Sequence, residues 1–110
     1  MSHTMVTYTV KPGREQENAA LVRAVFDELA QTRPAGFRYA VFQQPDSRQF
    51  VHLYTNEGAP AGALQQLSAF GAFVAGAQDL HEQPATFTEP KLIGDYRTFT
   101  NTDRPVSTGG

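Results

Sequence analysis

Residues 37–55, FRYAVFQQPDSRQFVHLYT, decide the fold of this 110-residue chain. Two runs of alternating aromatic, β-branched and polar residues, 37–43 and 49–55, have the period of two that is typical of β-strands. Between them, Pro45 presets its backbone angle and the side chain of Asp46 can bond its own backbone, as tight turns require. The segment therefore predicts an antiparallel hairpin with residues 45–48 as its loop, in which the numbers of facing residues sum to about 93.

This register predicts that both faces of the hairpin carry apolar side chains. One face comprises Phe37, Tyr39, Val41, Phe50, His52 and Tyr54. The other comprises Arg38, Ala40, Phe42, Val51, Leu53 and Thr55. A sheet that faces water on one side normally has a polar outer face, and an exposed apolar patch marks an interaction site. We therefore expect a homodimer in which a second copy covers the second face.

The segments around the hairpin predict two helices and two further strands. Residues 6–10 alternate as a strand, 14–32 have an apolar stripe at helical spacing, and 59–80 have a helical pattern interrupted by glycines. We expect two helical pieces there, meeting near Leu67 and Ser68, with Ser68 capping the second piece. Residues 85–97 predict a last strand, which Pro90 confines to a sheet edge or bends.

The order β, α, β, β, α, β predicts one α+β domain over residues 5–97, with residues 1–4 and 98–110 as flexible termini. Right-handed crossovers place both helices on one face of a four-stranded antiparallel sheet. This is the ferredoxin-like arrangement.

Charge and composition exclude several functional classes. The chain has nine basic and eleven acidic residues, and the basic ones are scattered singly. Nucleic acids and anionic membranes need a basic stripe, so we expect neither as a partner. The chain has no cysteine, which excludes disulfides and thiolate sites, and we expect no metal site. Without a signal-peptide pattern, a cytoplasmic location is the expectation.

Four segments resemble the antibiotic biosynthesis monooxygenase-like domains of the dimeric α/β-barrel superfamily: VTYTVKPGREQENAALVRAV, GFRYAVFQQPDSRQFVHLYTNEGA, LSAFGAFVAG and EPKLIGDY. The resemblance implies a ferredoxin-like monomer, two sheets packed into a barrel, and a cleft between each sheet and its own helices. Some members oxygenate phenols or anthrone-like rings without metal or flavin, and others degrade haem, act on signalling molecules or have no known activity. We therefore expect no cofactor.

Two departures from the family pattern concern chemistry. Many members have a histidine at the start of the second helical piece, where this chain has Ala69. Haem-degrading members also use a tryptophan, and this chain contains none. Haem degradation is therefore disfavoured, and no catalytic group can be transferred from that helix.

The candidate site lies on the first hairpin face. His52, Tyr39 and Tyr54 are the candidate catalytic residues: imidazole has the intrinsic pKa of a base near neutral pH, and the phenols could orient a substrate oxygen. The candidate substrate-binding residues are Tyr8, Phe37, Phe50, Phe70 and Phe73. Cofactor-free oxygenation needs little more than a base, hydrogen-bond donors and a dry pocket.

Structural roles are the alternative for each of these residues, because tyrosine and histidine are ordinary half-buried strand residues. We expect Arg38 to pair across the dimer with Asp95 or Glu89 of the second copy, and His81 to be a solvated helix end. The sequence predicts an oxygenase acting on an aromatic or quinonoid molecule, or else a homodimer that binds a small ligand without catalysis. An accessory subunit of a larger enzyme is a third, weaker alternative.

Overall fold

The computed structural model describes residues 2–56 and 67–96 and contains six elements in the predicted order βαββαβ. They are β1 Ser2–Thr9, α1 Glu15–Thr32, β2 Phe37–Gln43, β3 Gln49–Asn56, α2 Ser68–Leu80 and β4 Thr86–Thr88. The first helical piece predicted before Leu67 and the terminus 98–110 lie outside the described residues.

The four strands form one antiparallel sheet in the order β2-β3-β1-β4. Tyr39 faces Tyr54 and Val41 faces His52, which confirms the predicted hairpin register. The loop closes with a 3.0 Å hydrogen bond from the Gln44 N–H to the Gln49 carbonyl oxygen, and Asp46 takes a positive φ of 51°. Aspartate tolerates this left-handed conformation better than most residues, which explains its place in the turn.

The first strand is longer than predicted. We expected residues 1–4 in a flexible terminus, whereas β1 begins at Ser2 and pairs with the end of β3. The side chains of His3 and Thr55 are buried beside each other, with Nδ1 and Oγ1 2.6 Å apart. Pairing continues because the extra residues satisfy backbone groups that β3 would otherwise expose.

The first helix places its apolar stripe, including Val22 and Val25, against the sheet. It ends at Arg33, which has a left-handed φ of 46° and donates its N–H to the Leu29 carbonyl oxygen. This conformation ends a helix because the chain can no longer continue the i to i−4 ladder. Pro34, directly after it, prevents the helix from resuming.

The second helix begins differently from the prediction. Ser68 does not cap it: Leu67 occupies the N-cap position, and the exposed first N–H groups are bound by Glu28 of α1. The Glu28 carboxylate accepts from the N–H groups of Ser68 and Ala69 at 3.1 and 2.8 Å. A carboxylate from the neighbouring helix thus takes the role expected of a local hydroxyl.

Both helices pack on the same side of the sheet, as predicted. A Cβ atom on Gly76 of α2 would lie 3.3 Å from Leu21 Cδ1, so this glycine allows the two helices to approach closely. The buried core lies between helices and sheet and comprises Tyr8, Val10, Val22, Val25, Phe50, Leu67 and Phe73.

The last strand is much shorter than the predicted 85–97. It comprises Thr86–Thr88 and, among the strands of the described residues, pairs with β1 alone, at the edge of the sheet. The edge position was predicted from Pro90, but Pro90 shortens the strand more than we expected. Proline lacks the N–H that a ladder needs, and it restricts the residue before it, so pairing stops two residues earlier.

The outer face of the sheet, opposite the helices, has the apolar character predicted for it. Phe42 is 59 % exposed there, and Val51 and Leu53 beside it are half-buried. In the described residues, no helix has the length and apolarity needed to span a membrane.

Candidate functional site

A cavity of about 610 Å³ lies between the helix-facing side of the sheet and α2. Its wall is mostly aromatic and includes Tyr39, His52, Tyr54, Phe70, Phe73 and Phe87. Val74 and Phe87 also lie at this cavity and are 51 % and 68 % exposed, which places its mouth beside them. The size falls within the range of pockets that enclose small organic molecules.

One wall is a continuous hydrogen-bonded series, which we call the polar chain: Asn18, Tyr8, His52 and Tyr39. The Asn18 Nδ2 donates to the Tyr8 hydroxyl oxygen at 2.8 Å. That hydroxyl lies 2.7 Å from His52 Nε2, and the Tyr39 hydroxyl lies 2.6 Å from His52 Nδ1. Both ring nitrogens of His52 therefore have tyrosine partners.

The strand register explains how β1, β2 and β3 bring these rings together. Val41 and Val6 face His52 on either side; Tyr39 lies two residues before Val41 on β2, and Tyr8 lies two residues after Val6 on β1. Side chains two apart on a strand point to the same face, so all three rings project toward the helices. From α1, Asn18 reaches Tyr8 and is fully buried.

Burial keeps the polar chain uncharged near neutral pH. It lowers the pKa of His52 from 6.5 to about 4, with a smaller contribution from the charge of His81. Burial raises the pKa of Tyr8, which the bond from Asn18 partly offsets, and it also raises the pKa of Tyr39, together with repulsion from the anionic forms of Tyr8 and Tyr54. Burial disfavours the charged form of every group here, because each loses its hydration.

Ring stacking holds the tyrosines in place. Phe26 stacks on Tyr39 with ring centroids 4.9 Å apart and planes within 14°. Tyr8 stacks on Phe50 at 5.7 Å and on His81 at 3.9 Å. Rings stacked on a neighbour lose few rotamers on ligand binding, so the wall is largely formed in advance.

The structure brings most of the predicted site residues to this one cavity. Those that line it are Tyr8, Tyr39, His52, Tyr54, Phe70 and Phe73. The remaining two do not: Phe50 is buried beneath Tyr8, and Phe37 packs against Tyr39 and Tyr54 in the core. Phe50 and Phe37 lie on the same sheet face as His52 but to the side of the cavity. The alternation of the sequence predicts which face a residue occupies, but not its lateral position on that face.

Two residues of the site were not predicted. Asn18 shares the helix face of Val22 and Val25, and a polar residue in an apolar stripe is the signal that could have found it. His81, expected to be solvated, instead lies at the cavity and stacks on Tyr8. It bridges to Val10, and this backbone pairing turns the residue toward the sheet.

Among residues 2–56 and 67–96, no three histidine, aspartate or glutamate side chains are grouped so that they could hold a metal ion. The hydrogen-bonding side chains at the cavity instead include tyrosine hydroxyls, imidazole nitrogens and the amides of Gln78 and Gln83. Tyr54 adds a hydroxyl that has no hydrogen-bond partner among the described residues. Such a wall suits an aromatic molecule that carries oxygen atoms.

Comparison with known proteins identifies the fold. No protein-family model matches the sequence, and no curated protein matches it. Among solved structures, a Nitrosomonas europaea protein provisionally named an antibiotic biosynthesis monooxygenase is similar, with a TM-score of 0.68 and 17% identity over 84% of this chain and 89% of that one.

Two further solved structures have the same fold. One is named an antibiotic biosynthesis monooxygenase, with a TM-score of 0.63 and 17% identity over 84% of this chain and 99% of that one. A Mycobacterium tuberculosis protein has a TM-score of 0.66 and 15% identity over 86% of this chain and 96% of its own. The chain thus has the ferredoxin-like fold of the antibiotic biosynthesis monooxygenases, as expected from the resemblance.

Proposed function

We propose that this chain binds a flat aromatic or quinonoid molecule in the cavity and oxygenates it with O₂, without metal or organic cofactor. The observation that carries the proposal is His52, held between two tyrosine hydroxyls in the wall of an aromatic cavity. An uncharged donor at the end of a buried network can hold an anionic oxygen that forms during reaction. The named oxygenase with the same fold supports the reaction class as an analogy.

The reaction converts a ring methylene to a carbonyl and needs only O₂ as oxidant. The substrate loses a proton to form an anion, and this anion transfers one electron to O₂. The resulting radical and superoxide combine through a new C–O bond, and the peroxide takes up a proton. Loss of water then leaves the carbonyl, so that R₂CH₂ and O₂ become R₂C=O and H₂O.

Within this scheme, Tyr39 touches the substrate and His52 supports Tyr39. We expected His52 to be the base, but its two nitrogens are already bonded and its pKa is about 4, which makes it a weak base. The hydroxyls of Tyr39 and Tyr54 would instead donate to the substrate oxygen as it becomes anionic. The substrate proton then leaves to water at the mouth beside Val74 and Phe87.

Oxygen uptake with a panel of anthrones, which carry the reacting ring methylene, tests the proposal. The wild type should consume one O₂ per anthrone, and Tyr39→Phe should lower the rate about 100-fold, as loss of an oxyanion donor does elsewhere. Tyr96→Phe is the matched control, because Tyr96 is 71 % exposed and does not line the cavity. Oxygen uptake no faster than in buffer, for every compound in the panel, would rule out the oxygenase.

Ligand binding without catalysis is the second candidate, favoured by the absence of a free imidazole nitrogen on His52. Titration of the same compounds under nitrogen, followed by tyrosine fluorescence, separates the two. Saturable binding by a protein that consumes no O₂ would support a binding module.

We also propose that the protein is a homodimer, paired through the outer face. The support is the exposed Phe42 beside Val51 and Leu53, together with the packing of both helices on the opposite side. An apolar patch of this kind on a sheet face is typical of an interface. Pairing of Arg38 with Asp95 or Glu89 of the second copy remains a prediction.

A further inference from the structure

Asn18 is a polar residue that the oxygenation scheme leaves unused. It is completely buried in α1, and its Nδ2 donates to the Tyr8 hydroxyl at 2.8 Å. Its Oδ1 is buried and has no hydrogen-bond partner among the described residues. Burying an amide with an unpaired carbonyl is unfavourable, so a purely structural account would prefer an apolar residue here.

The amide of Asn18 determines which group donates and which accepts in each hydrogen bond of the polar chain. The Tyr8 oxygen accepts an N–H from Asn18, and among the described residues the acceptor within reach of its own hydroxyl hydrogen is His52 Nε2. Because a buried hydroxyl hydrogen is unfavourable when unpaired, Tyr8 donates and Nε2 accepts. Neutral imidazole has one N–H, so Nδ1 carries the hydrogen and donates it to the Tyr39 oxygen.

With the hydrogen bonds of the polar chain in this direction, one hydroxyl hydrogen remains unused at its Tyr39 end. The Tyr39 hydroxyl hydrogen has no acceptor among the described residues, and Tyr39 lines the cavity. This hydrogen is therefore available to a ligand. Tyr39 meets the ligand as a donor, while its oxygen is already engaged by His52.

Rotating the Asn18 amide by half a turn would reverse the donor and acceptor in every hydrogen bond of the polar chain. The Tyr8 hydroxyl would then donate to Oδ1, and the amide nitrogen would be left buried without an acceptor. An unpaired buried N–H group is rarer in proteins than an unpaired carbonyl, because a carbonyl with two lone pairs tolerates partial satisfaction better. The observed orientation is thus the favoured one.

We propose that Asn18 is a positioning residue: it holds His52 in the Nδ1–H tautomer and thereby makes Tyr39 a hydrogen-bond donor to the cavity. At the Tyr39 position the cavity consequently favours aromatic ligands that present an acceptor oxygen, such as a ketone, a quinone carbonyl or a phenolate, over ligands that present only an N–H. This selectivity rests on the proposed ligand cavity, whereas the tautomer of His52 is a property of the free protein.

The tautomer is measured first, by two-dimensional ¹H–¹⁵N NMR of the imidazole rings at neutral pH in the full chain. The wild type should show the Nδ1–H pattern for His52, and Asn18→Asp should show the reverse Nε2–H pattern, because a carboxylate can only accept from Tyr8. Asn18→Leu, similar in size and without polar atoms, should show a mixture, and Gln16→Leu, on the exposed side of the same helix, should match the wild type. A wild-type Nε2–H pattern would overturn the role of Asn18.

The selectivity is measured with three flat tricyclic probes of nearly the same shape: fluorenone, which offers a carbonyl acceptor, carbazole, which offers an N–H donor, and fluorene, which offers neither. The wild type should bind fluorenone about tenfold more tightly than fluorene or carbazole, the effect of one neutral hydrogen bond. Tyr39→Phe should sharply reduce this preference for fluorenone, because Tyr39 is the donor that the polar chain orients toward the cavity.

The possible failures are distinguishable. Equal affinity for fluorenone and carbazole would refute the selectivity even if all three probes bind. Binding of none of them would refute the proposed ligand cavity along with the selectivity, while the tautomer pattern would still decide the role of Asn18. If Asn18→Asp does not fold, the wild-type pattern and Asn18→Leu decide the question.

Discussion

Acidification should destabilise the folded chain through His52 before the carboxylates contribute. The folded state holds the pKa of His52 at about 4 by burial, whereas the unfolded chain has the ordinary value of 6.5. Between these values the unfolded state binds more protons than the folded state. Stability from the neutral ring is therefore complete above about pH 6.5 and is lost as the pH falls toward about 4.

The size of the loss follows from this difference in pKa. Each pKa unit corresponds to about 1.4 kcal/mol, so complete protonation would cost about 3 kcal/mol. At about pH 5 the loss should be about 2 kcal/mol relative to about pH 7.5. His81 changes stability in the same direction, because burial lowers its pKa as well. The bound carboxylates of Glu28 and Asp79 have lowered pKa values, so they lose their contributions at more acidic pH.

Urea unfolding followed by circular dichroism measures the free energy of unfolding at about pH 7.5 and about pH 5. Both measurements use one protomer concentration, so that any association is held constant. His52→Gln removes the titrating group and should retain less than half of the wild-type loss between about pH 7.5 and pH 5. His81→Gln should retain most of it. A wild-type stability that stays level over this interval, or an unchanged loss in His52→Gln, would show that the ring is not buried in neutral form.

Three further predictions concern the fold and the assembly. Glu28→Ala should lower the urea concentration at the midpoint of unfolding, because α2 loses the carboxylate that binds its first N–H groups, while Glu17→Ala, which breaks only an exposed ion pair, should lower it much less. Equal effects would refute the capping role. Phe73→Ala should cost about 3 kcal/mol in the same assay because Phe73 is buried against Tyr8 and His52, and the exposed Val74→Ala under about 1 kcal/mol. Similar losses would mean that Phe73 is not part of the core. Leu53→Glu should shift the protein from dimer to monomer in sedimentation velocity with unchanged circular dichroism, because a charge in the apolar patch opposes pairing. A variant that stays dimeric would exclude the outer face as the interface.

Local pattern was enough to predict the hairpin and the helix-facing site. The alternation of residues 37–55 and its turn chemistry determine which side chains share a face, so periodicity alone places Tyr39, His52 and Tyr54 together. The same pattern could not separate Phe50 from His52, because lateral distance on one face depends on where α2 covers the sheet.

Errors occurred where a distant partner overrode a local preference. Ser68 has the chemistry of a cap, but Glu28 of the neighbouring helix binds the first N–H groups of α2. His81 has the chemistry of a solvated helix end, but a bridge to Val10 turns it onto Tyr8. Neither partner can be inferred from residues nearby in sequence.

The sequence by itself thus determined the order of elements, the hairpin register and the aromatic face, because these depend on periodicity and turn residues within about twenty positions. Only the tertiary structure decided the protonation and the hydrogen bonding of the residues on that face. Burial lowers the pKa of His52 to about 4, and Asn18 from α1 orients the chain of bonds that ends at Tyr39. Both effects arise because α1 and α2 pack on the sheet. This packing removes water from His52 and brings Asn18 into contact with Tyr8, which is distant in sequence. The sequence shows that residue 52 is a histidine, but it does not show what surrounds the ring.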